Sequence, residues 1–133
     1  MMSENAAQSD DPLDMKLKED AAHVHREAAG DVTVFVVENE NVYPKQSNEI
    51  AASIRGVILA AEPPKVLIDL SQVQFLCSAF IGKLIELHKL AEEQGGAIKL
   101  CVTGEHVAYT MKLVKLNNII HIGGNRQELI DSF

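Results

Sequence analysis

The sequence has no tryptophan, few other aromatic residues, few cysteines and no long apolar run. Aromatic residues make up 5% of the 133 residues while hydrophobic residues make up 47%, so the core is expected to be aliphatic. The two cysteines, Cys77 and Cys101, lie in apolar stretches and lack C-x-x-C spacing, which favours reduced, buried thiols in a cytoplasmic protein. No apolar run reaches the length of a membrane span, and the N-terminus lacks a signal-peptide pattern.

Basic residues are also scarce. The chain has 12 Lys and Arg against 19 Asp and Glu, a formal net charge of −7. A nucleic-acid binder needs a basic face to displace counterions from phosphates, so this balance argues against one. It favours a soluble protein and a protein partner that presents basic residues.

Catalytic and ligand-binding motifs are missing from the sequence. There is no G-x-S-x-G elbow, no phosphate-binding P-loop and no dinucleotide-binding G-x-G-x-x-G. His23 and His25 would share a strand face, but two ligands seldom make a metal site. We therefore expect a protein that is not an enzyme and has neither cofactor nor metal. A phosphoryl- or sulfur-transfer enzyme that uses Cys77 is a remote alternative, because phosphatases of this type place Arg six residues after the Cys, where this chain has Lys83.

The chain divides into an acidic leader and one domain. Residues 1–20 are polar and aperiodic, which predicts a flexible leader, although Leu13, Met15 and Leu17 alternate as in a short edge strand. Residues 21–133 alternate between strand and helix patterns, which predicts a largely parallel sheet of about five strands with four helices. The expected elements are a hairpin turning near Gly30, a helix over 44–62, a buried strand over 65–70, a helix over 79–94, a buried strand over 97–102, a helix over 104–116, a short strand over 119–122 and a last helix, Asn125–Phe133, capped by Asn125 with Glu128.

The stretch DLSQVQFLCSAF, residues 69–80, reads as a buried strand that runs into a helix, with Cys77 and Ser78 at the corner. A serine just before an amphipathic run is a good helix cap, which contributes about 1 kcal/mol. The same position suits a catalytic group or a phosphorylation switch. Periodicity alone does not choose between these.

The segment Val66–Gly82, VLIDLSQVQFLCSAFIG, resembles the signature of the STAS family of bacterial anti-sigma factor antagonists. The matching positions are Asp69-Leu70-Ser71, Val73, Phe75-Leu76, Ser78 and Gly82. The sequence departs from the family at Cys77, where the family usually has Asp. A looser likeness extends over about Val24–Phe133.

The resemblance implies an α/β STAS sandwich with a mixed, mostly parallel sheet of four to five strands and helices largely on one side. It also implies regulation of transcription, as in a stress response, by partner switching: an anti-sigma factor kinase binds the protein and turns it off by phosphorylating a serine. Ser78 would be that serine, and the docking surface would comprise Phe75, Leu76, Cys77, Ala79, Phe80 and Lys83. The alternative is a STAS scaffold or ligand-sensing subunit that is not phosphorylated. The oligomeric state is left open.

Overall fold

The structure is a computed structural model that describes residues 21–133. The predictions for residues 1–20, including the leader and its edge strand, lie outside the described residues. The described part contains the following elements in chain order: β1 (Val24–Ala29), β2 (Val32–Val37), β3 (Asn41–Val42), α1 (Pro44–Ala60), β4 (Lys65–Asp69), β5 (Phe75–Leu76), α2 (Ser78–Glu93), β6 (Ala97–Cys101), α3 (Glu105–Leu113), a 3-10 turn (Leu116–Asn118), β7 (His121–Gly123) and α4 (Arg126–Asp131).

Five strands form the main sheet in the order β1-β2-β4-β6-β7. The β1–β2 hairpin is antiparallel and turns at Gly30, whose φ of +64° is a conformation that glycine adopts without strain. The other three pairings are parallel, and each of the crossover connections that parallel strands require contains a helix. The predicted fold class, a single α/β domain with a mixed and mostly parallel sheet, is confirmed.

The sheet is covered on both faces, and successive residues of its strands point to opposite faces. Helices α1, α2 and α3 cover one face, where they bury the larger hydrophobic cluster around Phe35, Ile68 and Leu100. On the opposite face α4 contributes Leu129 to a smaller cluster with Val34 and neighbouring side chains. The expectation that the helices lie largely on one side is therefore correct for three helices, and α4 is the exception.

Two cations hold α4 against the sheet. Lys99 lies on β6 and its Nζ donates hydrogen bonds to the carbonyl oxygen of Ser132 at 2.7 Å and to the hydroxyl at 2.6 Å. Burial lowers the pKa of the Lys99 ammonium from its ordinary value. Arg126 of α4 pairs with Glu27 of β1, and its second nitrogen lies 3.6 Å from Oδ2 of Asp69.

Several boundaries differ from the sequence-based prediction. The stretch Phe75–Leu76, which lies between the predicted strand over 65–70 and the predicted helix over 79–94, is strand β5, which pairs in parallel with β3 to form a separate two-stranded sheet. Helix α3 ends before Lys115, which adopts the left-handed conformation at φ 59°. The predicted cap of the last helix is confirmed, since the Asn125 side chain accepts a hydrogen bond from the Glu128 N–H at 3.0 Å. Among residues 21–133, no helix is both long and apolar enough to cross a lipid bilayer.

Candidate functional site

The candidate site is the corner at which β5 ends and α2 begins. Backbone hydrogen bonds to the segment before α1 fix this corner: the Phe75 N–H donates to the Glu40 carbonyl at 3.0 Å, and the Cys77 N–H donates to the Val42 carbonyl at 3.0 Å. The parallel β3–β5 pairing therefore sets the position of the residues that precede Ser78. A short two-stranded sheet, rather than a free loop, carries the site.

Ser78 is the first residue of α2 and not its cap, which corrects the structural interpretation of this serine. The N-cap is Cys77, whose backbone is extended (φ −81°, ψ 162°), and no side chain caps the helix. The Cys77 carbonyl accepts hydrogen bonds from the Phe80 and Ile81 N–H groups at 3.0 and 3.4 Å. The Ser78 and Ala79 N–H groups have no acceptor among residues 21–133, as is common for the first turn of a helix.

Five of the seven side chains predicted for the site are accessible. Ser78 and Ala79 are exposed, Cys77 is half-buried, and Phe75 is 37% exposed. Lys83 lies farther along α2, half-buried, with its Nζ 3.7 Å from a carboxylate oxygen of Glu86. These residues form a neutral surface at the start of α2, with one cation behind it.

The remaining two predicted contact residues belong to the core. Phe80 is 0% exposed and Leu76 is 5% exposed, and both pack in the larger hydrophobic cluster. Their side chains are therefore not accessible to a partner in this structure. Alternation explains the difference, since Leu76 points inward from β5 while Phe75 points outward, and Phe80 is on the buried face of α2.

Sequence reasoning missed Tyr43, which precedes α1 and is 51% exposed. Its ring centroid lies 5.5 Å from that of Phe75, with the rings tilted by 45°, a favourable geometry for aromatic pairs. The Tyr43 N–H donates to Oε1 of Gln46 at 2.9 Å, which fixes the start of α1. An exposed aromatic pair thus lies beside Ser78. Its only sequence signal is an aromatic residue before Pro44, which does not indicate a contact with Phe75.

A shallow groove of about 320 Å³ runs between α1 and α2. Both helices begin at the two-stranded sheet and run from it side by side, so the groove extends away from the candidate site. Arg55 of α1 and Lys83 of α2 supply cations on its two sides. The groove is lined by Asn48, Ala51, Ala52, Arg55, Lys83, Glu86 and Leu87.

The histidines and cysteines of the described residues do not come together in a metal site or a disulfide. No group of three or more His, Cys, Asp or Glu side chains among residues 21–133 is arranged to hold a metal ion. His25 Nε2 lies 2.9 Å from a Glu27 carboxylate oxygen. Cys77 and Cys101 are both free thiols, and burial, with the negative charge of Asp69, raises the pKa of the Cys101 thiol.

Comparison with known proteins identifies the family. The model of the STAS domain family matches residues 23–129, most of the chain. The chain belongs to the STAS family. This confirms the resemblance seen at Val66–Gly82, and the match extends over all the strands of the main sheet of this STAS domain.

Solved structures of anti-sigma factor antagonists share the fold. One from Mycobacterium paratuberculosis is 18% identical, with 85% of this chain and 94% of that chain covered and a TM-score of 0.76. A STAS domain protein from Planctomyces limnophilus, described as an anti-sigma factor antagonist, is 26% identical over 84% of this chain and 96% of that one, with a TM-score of 0.67. The phosphorylated form of SpoIIAA, a cell fate determinant of Bacillus, is 15% identical over 83% and 98%, with a TM-score of 0.63.

Proposed function

We propose that the protein is an anti-sigma factor antagonist that acts by partner switching. It binds an anti-sigma factor kinase, and phosphorylation of Ser78 weakens that binding. The observation that carries this proposal is the exposed Ser78 hydroxyl at the first position of α2, on a corner held by backbone hydrogen bonds. The structural similarity to antagonists, one of them solved in a phosphorylated form, supports it.

The position of Ser78 suits a reversible phosphate. A phosphoserine carries a charge of about −1.5 to −2, and the positive end of a helix dipole favours that charge. The unpaired N–H groups of Ser78 and Ala79 are available as donors. Phosphorylation is therefore expected to leave the domain folded and to act at the interface, where burial of an unpaired dianion opposes binding by several kcal/mol.

The kinase is expected to contact the exposed residues around Ser78. Phe75 and Tyr43 supply an accessible aromatic pair, a residue type that often dominates interface energies. Ala79 leaves room for close approach, and Lys83 supplies a positive charge at the head of the groove between α1 and α2. Leu76 and Phe80 support this surface from beneath rather than touching the partner.

The proposed role is that of a cytoplasmic, non-enzymatic protein in bacterial transcription control that needs neither nucleic acid nor cofactor. Cys77, the alternative nucleophile, lacks the arginine that phosphatases place six residues later, because that position is Lys83. The segment that follows contains Gly82 as its one glycine before Lys83, too few for a phosphate-binding loop. Ser78 rather than Cys77 is thus the proposed reactive position.

The test is a phosphorylation and binding assay with the kinase encoded beside the gene. The protein is incubated with that kinase and ATP, and its intact mass and modified residue are measured. We expect one phosphate on Ser78, and none on a Ser78→Ala variant. The Ser78→Asp variant should remain folded and bind the kinase more weakly. Ser53→Asp is the matched control, because Ser53 is exposed in the middle of α1 and adds the same charge elsewhere.

Two outcomes contradict the switch. If Ser78→Asp and Ser78→Ala bind the kinase equally well and no phosphate appears, the protein is an antagonist or scaffold whose binding is not controlled by phosphorylation of Ser78. If neither the protein nor any variant binds the kinase, the scaffold or ligand-sensing role replaces the proposed one.

A further inference from the structure

A second exposed apolar surface lies on α3 and the turn after it. Tyr109 is 61% exposed, Leu113 63%, Val114 48% and Ile119 46%. These four, here called the α3 patch, are more than half of the seven large apolar side chains that are exposed in the described residues. Tyr109 and Leu113 are four residues apart and so share one face of α3. Exposed apolar residues that cluster in this way commonly mark an interaction surface.

The α3 patch sits on an anchored backbone. Met111 is 1% exposed on the buried face of α3, Leu116 is 0% exposed at the start of the 3-10 turn, and Ile120 is 1% exposed just after it. The Lys115 N–H donates to the Lys112 carbonyl at 3.1 Å as the chain turns. The exposure of the patch therefore follows from a fixed turn, with buried residues directly beneath it.

Charge sets this region apart from the rest of the molecule. The chain has a net charge of −7, yet no Asp or Glu occurs from His106 to Gln127. Lys112 and Lys115 are exposed and flank Leu113 and Val114 in the sequence, and neither forms an ion pair with another of residues 21–133. An acidic protein thus carries one apolar surface with two lysines beside it, and Glu105, one turn before Tyr109, is the carboxylate of the same helix.

We propose that the α3 patch is a docking site for an acidic, apolar segment of a partner protein. Charge complementarity selects this occupant: leucine-like side chains would cover Tyr109 and Leu113, and carboxylates would pair with Lys112 and Lys115. A second copy in a two-fold arrangement would bring like lysines together, which opposes self-association through this face. The patch shares no residue with the surface around Ser78, and the proposal does not depend on phosphorylation of that serine.

The test uses the full chain and three short helical peptides. One carries leucines flanked by glutamates, the second replaces the glutamates with lysines, and the third replaces the leucines with serines. Amide chemical shifts in the ¹⁵N NMR spectrum locate the binding site, and fluorescence anisotropy gives the affinity. We expect only the leucine–glutamate peptide to bind, with shifts concentrated in residues 109–119.

Charge reversal supplies the decisive comparison. The Lys112→Glu/Lys115→Glu double variant should bind the acidic peptide about tenfold more weakly, because two exposed attractions become repulsions. The same variant should gain affinity for the lysine peptide. Arg26→Glu/Lys89→Glu is the matched control, since both residues are exposed on other elements, and its affinity should be unchanged.

Other results overturn the proposal. Absence of binding, shifts outside the patch, or equal binding of acidic and basic peptides would remove the charge-selective site. If the protein self-associates in sedimentation experiments and Leu113→Ser abolishes this self-association, the patch binds a second copy of the chain. If the protein binds phosphatidylglycerol vesicles and Lys112→Glu/Lys115→Glu abolishes this binding, the patch binds a membrane surface.

Discussion

Phe75 and Phe80 lie on either side of Ser78, and the structure predicts opposite consequences when each is replaced by alanine. Phe80 is fully buried, so Phe80→Ala removes a whole ring from the core and leaves a cavity. Such substitutions lower the free energy of unfolding by about 3–5 kcal/mol. Because small domains are stable by only about 5–15 kcal/mol, this loss is a large share of the total.

Phe75→Ala should have a smaller effect on folding. The residue is 37% exposed and rests against the half-exposed Tyr43. Full burial of a phenylalanine contributes about 1.5–3 kcal/mol, so the part that is buried here corresponds to about 1–2 kcal/mol. Its loss should instead weaken binding of the kinase, since an exposed aromatic anchor would be removed from the proposed interface.

Urea denaturation followed by circular dichroism measures the free energy of unfolding of each variant. Calorimetric titration with the kinase in native buffer measures its affinity for the kinase. The slope of the unfolding free energy against urea should stay the same in both variants, so that the midpoint reports stability. A Phe80→Ala protein that loses less than about 1 kcal/mol would refute the assignment of this ring to the core. A folded Phe75→Ala protein that binds the kinase as tightly as the original would remove the aromatic pair from the interface.

Two further predictions concern the scaffold. Gly96→Ala should lower the melting temperature sharply, because its Cβ would lie 1.9 Å from the Pro64 carbonyl oxygen. Gly56→Ala, inside α1, should instead stabilise by up to about 1 kcal/mol, since its Cβ would meet nothing within 4 Å beyond its own helix and chain neighbours. Equal melting temperatures of the two variants would contradict this reasoning. The hydrogen bond from Arg126 lowers the pKa of Glu27 in the folded protein from its ordinary value of 4.5. The stabilisation by this pair is therefore fully present above pH 4.5 and disappears as the pH falls through the lowered pKa of the folded state. The stability difference between the original protein and Arg126→Gln, measured by urea unfolding at successive pH values, should therefore shrink on acidification, and a difference that grows would be the opposite of this prediction.

The sequence predicts the main sheet and helices because their patterns are long enough to show a period. Helix α1 spans 17 residues and α2 spans 16, and each repeats its apolar face several times. Strands β3 and β5 have two residues each, too few for a period, and their pairing depends on the residues that the rest of the fold brings together. The contact between Tyr43 and Phe75 depends on that pairing, so the sequence pattern does not predict it.

Leu76 and Phe80, which the resemblance places on the docking surface, are buried in the structure. The apolar spacing of α2 itself puts Phe80 on one stripe with Leu84, Leu87 and Ala91, and this stripe is the buried face of the helix. The structure starts α2 at Ser78, one residue before the expected start, so Ser78 occupies the first helical position instead of the cap. The role of the exposed residues at this corner in binding a partner stays a prediction.

The departure at Cys77 affects the electrostatics of the corner more than its shape. An aspartate at the N-cap would accept a hydrogen bond from the first turn and bring a negative charge next to Ser78. Cys77 supplies neither, and the sequence from Leu70 to Gly82 contains no charged side chain. A phosphate on Ser78 would therefore change this stretch from neutral to strongly negative, while the unpaired N–H groups of the first turn remain available to it. In a surface that already carries a carboxylate, the same phosphate would add to an existing charge and would meet its repulsion. The substitution at Cys77 is thus compatible with a phosphorylation switch, since it increases the relative change in charge between the two states.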